Sequence, residues 1–154
     1  MQKLYLEDLK TGDRFVSREY ELTEEKIKSF AKEYDPQPFH LDADAAEKHP
    51  IFQGLAGSGW QTAAITMRLW TECMPLAGGL VGFGGDIQWK LPTRANDRLH
   101  IEVEITDIRR SKSKPLQGVV TYLTLTKNQH DQVVQQSTTN VLVWSKEATN
   151  LPEY

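Results

Sequence analysis

"GLAGSGWQTAAITMRLW", Gly54 to Trp70, is the stretch on which the fold turns. Its glycines read as a loop, Ser58 offers a helix cap, and from Trp60 to Met74 the chain is apolar on most sides, interrupted mainly by Gln61, Thr62, Thr66, Arg68 and Glu72. So broad an apolar circumference predicts a helix that is buried along most of its length. Pro75 and the pair Gly78, Gly79 mark its end. What buries it is read from the residues that follow, where the period changes from helical to two. "LVGFGGDIQWKL" (80–91), "DRLHIEVEITDIRR" (97–110), "GVVTYLTLTKN" (118–128) and "QVVQQSTTNVLVWS" (132–145) are rich in β-branched and aromatic residues. The intervening "PTRAND", "SKSKPLQ" and "QHD" read as turns, so the simplest arrangement is an antiparallel meander in chain order. In "LHIEVEI", Leu99, Ile101, Val103 and Ile105 face one way and His100, Glu102 and Glu104 the other, giving a sheet with one packed face and one wet face. A long apolar helix followed by long antiparallel strands predicts an α+β plan in which the sheet curls around the helix and buries it.

Upstream, "GDRFVSREYEL" (12–22) reads as one short strand. Thr23 offers an N-cap, Glu24 and Glu25 sit where a helix dipole favours anions, and Ile27, Phe30, Ala31 and Tyr34 share one helical face. That helix must stop before Pro36, and a second short one is expected from Ala43 to Lys48, ended by Pro50. A chain of 154 residues without a linker or repeat reads as one domain, 1–154. A net charge of −3 leaves no basic footprint for a nucleic-acid partner. Cys73 is the only cysteine, so neither an intramolecular disulfide nor a cysteine zinc site is expected, and a reducing, cytoplasmic setting is. The N-terminus lacks an apolar leader core and no run is long enough to span a bilayer, so no membrane association is expected. His49, His100 and His130 show no metal-ligand spacing with His40, and no metal site is expected.

The chemistry-bearing stretch is "EYDPQPFHLD", Glu33 to Asp42. Pro36 and Pro38 predict a stiff, extended segment that holds Asp35 and His40 at a set separation. A carboxylate and an imidazole held together can deprotonate and orient a water or exchange protons with a substrate. The alternative is that Asp35 ends a helix and His40 is an incidental loop residue. "AGSGW" (56–60) brings Ser58, Gly59 and unpaired backbone N–H groups to the start of the long helix, where negative charge on a substrate oxygen is stabilised. There too a plainer reading stands, with the glycines permitting close packing and Ser58 simply capping. Phe39, Trp60 and Phe83 are candidates for lining a substrate tunnel or for the core. "RRSKSK" (109–114) reads as a solvated hairpin tip, with phosphate binding as the alternative.

These segments resemble the MaoC-like dehydratase family, which includes the R-specific enoyl-CoA hydratases. The family's Asp-x-Asn-Pro-x-His-x-Asp signature appears here as "DPQPFHLD", and its Phe-x-Gly and Ile-Ala-His-Gly elements as "FQGLAGSGW" (52–60). The similarity extends to "YLEDLKTGDRF" (5–15) and "DIQWKLPTRANDRLHIEVEI" (86–105). It implies a hotdog fold, a sheet wrapped around a long central helix. It further implies that Asp35 and His40 activate water for addition to, or elimination from, the Cα–Cβ bond of an acyl thioester, with Gly59 N–H as oxyanion donor and Gln37, Phe39, Ser58 and Trp60 around the substrate. The implied substrate is an acyl-CoA or acyl-carrier thioester, with coenzyme A present only as part of it and no other cofactor. The implied assembly is a homodimer joined sheet edge to sheet edge, or a higher homo-oligomer. Two positions depart from the pattern: Gln37 replaces the asparagine and Ser58 the histidine, although "SGWQTAA" resembles a subgroup of the family. Thioester hydrolysis is the alternative on the same scaffold, but such thioesterases usually carry a carboxylate on or beside the central helix, and Glu72 lies near the wrong end of it. A catalytically silent acyl-binding protein is the third reading.

Overall fold

The segment 12–22 forms two strands in the computed structural model, which describes residues 1–148 and 150–152: β1 (Arg14–Val16) and β2 (Tyr20–Leu22). The single strand expected there is broken at Ser17, whose N–H donates to Ile101 O and whose hydroxyl accepts from Ile101 N. α1 (Glu24–Tyr34) begins at the expected cap, with Thr23 Oγ1 accepting from Lys26 N at 3.3 Å. It buries Ile27 and Ala31 but leaves Tyr34 exposed. The proline segment is not extended throughout. Pro38–Leu41 makes a single helical turn, α2, with Pro38 at a first-turn position where its missing N–H leaves no bond unmade. α3 (Ala43–Glu47) follows, capped by the Asp42 carboxylate. The long helix is α4 (Gly59–Cys73), capped by Ser58 and ended at Met74 ahead of Pro75.

The strands β3 (Val81–Trp89), β4 (Asp97–Arg110), β5 (Gln117–Lys127) and β6 (Val133–Trp144) fall close to the expected ranges. Their order is not the simple meander. The sheet runs β1-β4-β5-β6-β3, all antiparallel, with β2 also on β4. The meander holds for β4, β5 and β6, whereas β3 leaves β4 and pairs with β6. The reason lies in residues 90–96, which do not turn as a hairpin: Lys90 N donates to Val134 O, and Thr93 O accepts from Gly57 N in the loop before α4.

Leu99, Ile101, Val103 and Ile105 are buried as the alternation requires, together with Val120, Tyr122, Val134, Val141 and Val143 from the neighbouring strands. Against them α4 places Ile65, Leu69 and Trp70, the last edge-on to Tyr122 with ring centroids 4.8 Å apart. Full burial of each such aliphatic side chain stabilises the fold by about 1.5–3 kcal/mol. α4 is packed on one side rather than all round. Trp60 and Met67 stay exposed, while Gln61, Thr62 and Thr66, read as interruptions of the apolar pattern, are buried. Gln61 Nε2 donates to Lys26 O and Thr66 Oγ1 to Thr62 O, which gives those amide and hydroxyl donors partners inside. The architecture is the α+β hotdog layout, an antiparallel sheet around α4.

Candidate active site

Asp35 ends α1, its N–H donating to Ala31 O at 3.0 Å. The α2 turn then returns His40 to it, with His40 Nε2 3.3 Å from Asp35 Oδ2. His40 Nδ1 lies 2.6 Å from Ala56 O. A carbonyl oxygen only accepts, so Nδ1 carries a proton and Nε2 is the atom left facing the carboxylate. A second proton on Nε2 makes the ring an imidazolium paired with Asp35; without it, Nε2 offers a lone pair. The pair can therefore hold a proton or pass it to a group that reaches it.

Asp35 is held from two further directions. Gln37 Nε2 donates to Oδ1 at 2.6 Å and Ser58 Oγ donates to Oδ2 at 2.7 Å. Burial pushes the carboxyl up, but the Ser58 and Gln37 hydrogen bonds and the neighbouring His40 ring outweigh it and hold Asp35 below the ordinary carboxylate range. Gln37 and Ser58, the two departures from the family pattern, thus both act on this carboxylate. The Ser58 hydroxyl also accepts from Trp60 N at 3.3 Å, so one atom caps α4 and ties its start to Asp35. Gly59 N–H, in the first turn of α4, has no hydrogen-bond partner among the described residues. The Trp89 indole lies against Gly59, and a Cβ there would meet ring atoms at 2.5–2.9 Å. Only glycine permits that approach.

A cavity of about 410 Å³ opens at this point, lined by Gln37, Phe39 and His40, by Gly57, Gly59 and Thr62 at the start of α4, and by the segment from Trp89 to Thr93. Asp35 stands against its liners Gln37 and His40, with a side chain 16% exposed. Ser58 is fully buried beside Asp35, and Phe39 stacks on Phe52 at 4.6 Å. Trp60 is 61% exposed and approaches the cavity only through its edge contact with Trp89, 5.1 Å between centroids. Phe83 is exposed on β3, away from the lining residues.

Sequence reasoning missed Arg94, assigned to a turn. Its guanidinium donates to the carbonyls of Phe52, Gly54 and Leu55 and so fixes the loop that leads into α4. A lone cation two residues after a proline gives no signal of that role. It also missed Trp89 with its partner Gln135, Nε1 to Oε1 at 3.0 Å. The "RRSKSK" cations lie at the other end of β4, about 40 Å along the strand from Asp97. Arg109 pairs with Asp107 and Arg110 with Glu7 there. His100, Glu102 and Asp131 come together with spacing that suits a metal, but Lys127 Nζ lies between the acids, 2.9 Å from Glu102 and 3.2 Å from Asp131.

Comparison with known proteins bears on this geometry. The family model described as "MaoC like domain" matches residues 9–129. The uncharacterized protein YdeM of Bacillus subtilis (strain 168) is 31% identical over 148 residues, covering 90% of this chain and 97% of that protein. The crystal structure of the MaoC-like dehydratase from Rhodospirillum rubrum is 49% identical, covers 94% of this chain and 99% of its own, and superposes with a TM-score of 0.91. The R-hydratase PhaJ1 from Pseudomonas aeruginosa shares the fold at 19% identity and a TM-score of 0.74, over 99% of this chain and 96% of its own. With a family match that spans most of its length and close relatives over nearly all of it, the chain belongs to the MaoC-like domain family.

Proposed function

We propose that this protein is a hydro-lyase that adds water to, or removes it from, the Cα–Cβ bond of an acyl thioester carried by coenzyme A or an acyl carrier. The observation that carries the reading is one cavity lined by both His40 and Gly59, with Asp35 Oδ2 3.3 Å from His40 Nε2 and the Gly59 N–H unpartnered among the described residues. In the hydration direction the Asp35 carboxylate takes a proton from water as the water oxygen bonds to Cβ. The π electrons move through Cα to the thioester oxygen, where Gly59 N–H and the positive end of α4 meet the enolate charge. His40 Nε2 then protonates Cα, and Asp35 returns its proton to His40 across the 3.3 Å contact. Dehydration is the same sequence reversed. An oxyanion donor of this kind is worth about 3 kcal/mol, and acid and base assistance about 10²–10⁴ in rate. Phe39, Gln37 and Thr62 supply the walls, and coenzyme A enters only with the substrate.

The assembly that fits is a homodimer. β3 pairs with β6 on one edge, and all nine of its residues are exposed in the single chain. Val81, Phe83, Ile87 and Trp89 of that strand, with Trp60 and Met67 of α4, make an apolar surface that an isolated chain would leave wet. Sedimentation equilibrium then gives twice the chain mass. Among the described residues no helix is long and apolar enough to cross a membrane, and soluble thioester substrates with a single cysteine suit the cytoplasm.

The test is to mix the protein with crotonyl-CoA and longer enoyl-CoAs and follow both the conjugated absorbance and free thiol. Loss of absorbance without thiol, abolished about 10²-fold or more in Asp35→Asn and His40→Gln, is the expected result. Thiol release would replace this reading by the hotdog thioesterase, and neither signal would leave an acyl-binding protein.

A further inference from the structure

Trp89 and Gln135 are direct cross-strand partners on β3 and β6. Trp89 Nε1 donates to Gln135 Oε1 at 3.0 Å, and Gln135, 1% exposed, donates through Nε2 to Thr66 Oγ1 at 3.2 Å. Thr66 Oγ1 in turn gives its proton to Thr62 O at 2.8 Å and so accepts from Thr126 Oγ1 at 2.6 Å. The indole is therefore bolted to α4 and β5 through one chain of bonds. Shifting it leaves the buried Gln135 Oε1 without its donor.

On the far side of this bolt is a second cavity of about 80 Å³ between α4 and the β3–β6 pair. Gly59 and Thr62 line the outer cavity, whereas Ala63 and Thr66, within the next turn, line the inner one. The strands repeat the step. Trp89 belongs to the outer cavity, and the next residue of β3 on the same face, Ile87, belongs to the inner one about 7 Å away. A groove along α4 is thus cut in two at Trp89 and Gln135. The inner part, about 80 Å³, is a small space whose walls mix Met67, Trp70 and Ile87 with Thr66 and Gln135, so it is its size and the indole at its mouth, not its polarity, that limit an alkyl tail.

We propose that the Trp89–Gln135 pair is the acyl-length stop of this protein and confines it to short, crotonyl-sized enoyl thioesters. This rests on the hydro-lyase reading: with the thioester oxygen at Gly59 N–H and the Cα–Cβ bond at Asp35 and His40, the acyl tail enters the groove along α4 and meets the indole. Trp89 is a specificity-determining residue here, and Gln135 positions it.

The test compares kcat/KM for crotonyl-CoA and trans-2-octenoyl-CoA in the wild type, Trp89→Ala and Trp89→Leu, beside calorimetric titration with the saturated butyryl-CoA and octanoyl-CoA. The wild type should prefer crotonyl-CoA about 100-fold, and both variants should raise the octenoyl-to-crotonyl ratio at least tenfold, in line with the 10- to 200-fold that a pocket gains or loses per methylene. Equal use of both substrates by the wild type, or an unchanged ratio in both variants, overturns the stop. A wild type that hydrates neither substrate sinks the hydro-lyase reading instead. The titrations then decide the stop alone: butyryl-CoA binding at least tenfold tighter than octanoyl-CoA, with the gap closing in Trp89→Ala, sustains it, and any smaller gap overturns it.

Discussion

Replacing Ser58 by alanine separates the two roles of its hydroxyl. The hydroxyl donates to Asp35 Oδ2 at 2.7 Å and accepts from Trp60 N at 3.3 Å, in a side chain with no solvent exposure. A hydrogen bond to a charged group contributes about 1.5–3 kcal/mol and an N-cap about 1 kcal/mol. The cap contact is the longer of the two, so Ser58→Ala should lose about 2–3 kcal/mol near neutral pH, most of it from Asp35. For a chain of this size that lowers Tm by about 5–10 °C. The pH dependence identifies the source. Asp35 titrates below the ordinary aspartate value of 3.8 in the folded state, so the stability it confers is present above that value and is lost as pH falls through the lowered folded one. Without Ser58, burial faces less opposition and the Asp35 titration moves up. The stability gap between wild type and Ser58→Ala should therefore narrow below pH 3.8, and the acid limb of kcat/KM for crotonyl-CoA should move to higher pH. Both are read by thermal melts and initial rates over the same buffers. A gap of the same size at neutral and acid pH, with an unmoved acid limb, would show that Ser58 is only a cap and that the account of the Asp35 environment is wrong.

Glu7 accepts from the Ser145 hydroxyl and from Lys146 N, and the Ser145 bond foremost lowers its pKa from 4.5 to about 2. The tie between the N-terminal turn and the end of β6 should be complete above pH 4.5 and fade as pH falls toward 2. Glu7→Gln should flatten Tm against pH across that window; parallel curves would refute the assignment. Burial pushes the Cys73 thiol up to about 11, so the folded protein should resist thiol-disulfide reagents at mildly alkaline pH and react promptly once denatured. Arg94→Met should cost about 1.5–3 kcal/mol of stability and lower kcat/KM, because three loop carbonyls ahead of α4 lose their donor. An unchanged melting temperature would show that the loop holds itself.

What could be read from the sequence depended on how far along the chain the deciding contact lies. The buried face of β4 follows from strict alternation at 99–105, because a half-buried strand writes its burial into every second residue. β3 writes nothing of the kind: all its residues are exposed in the single chain, and its partner is settled by how residues 90–96 are tied to β6 and to the loop before α4. Gln61, Thr62 and Thr66 read only as interruptions because an apolar pattern cannot register a polar side chain whose partner lies inside. Thr66, for one, is satisfied by Thr62 one turn back and by Thr126 across the core. Asp35 and His40 were legible as a pair because the turn that joins them is local, although Pro38 opens that turn where an extended segment was expected. The bond from Ser58 to Asp35 spans 23 residues and the one from Trp89 to Gln135 spans 46, and neither distance is encoded in spacing. The same geometry answers what Gln37 and Ser58 do. One side chain is longer than the family residue it replaces and the other shorter, yet each delivers a donor to a different oxygen of the same carboxylate. The substitutions therefore act on the basicity of Asp35, so replacing either donor should alter the pH at which the site works before it alters which acyl group fits. The proposed limit on acyl length is tested separately, at Trp89.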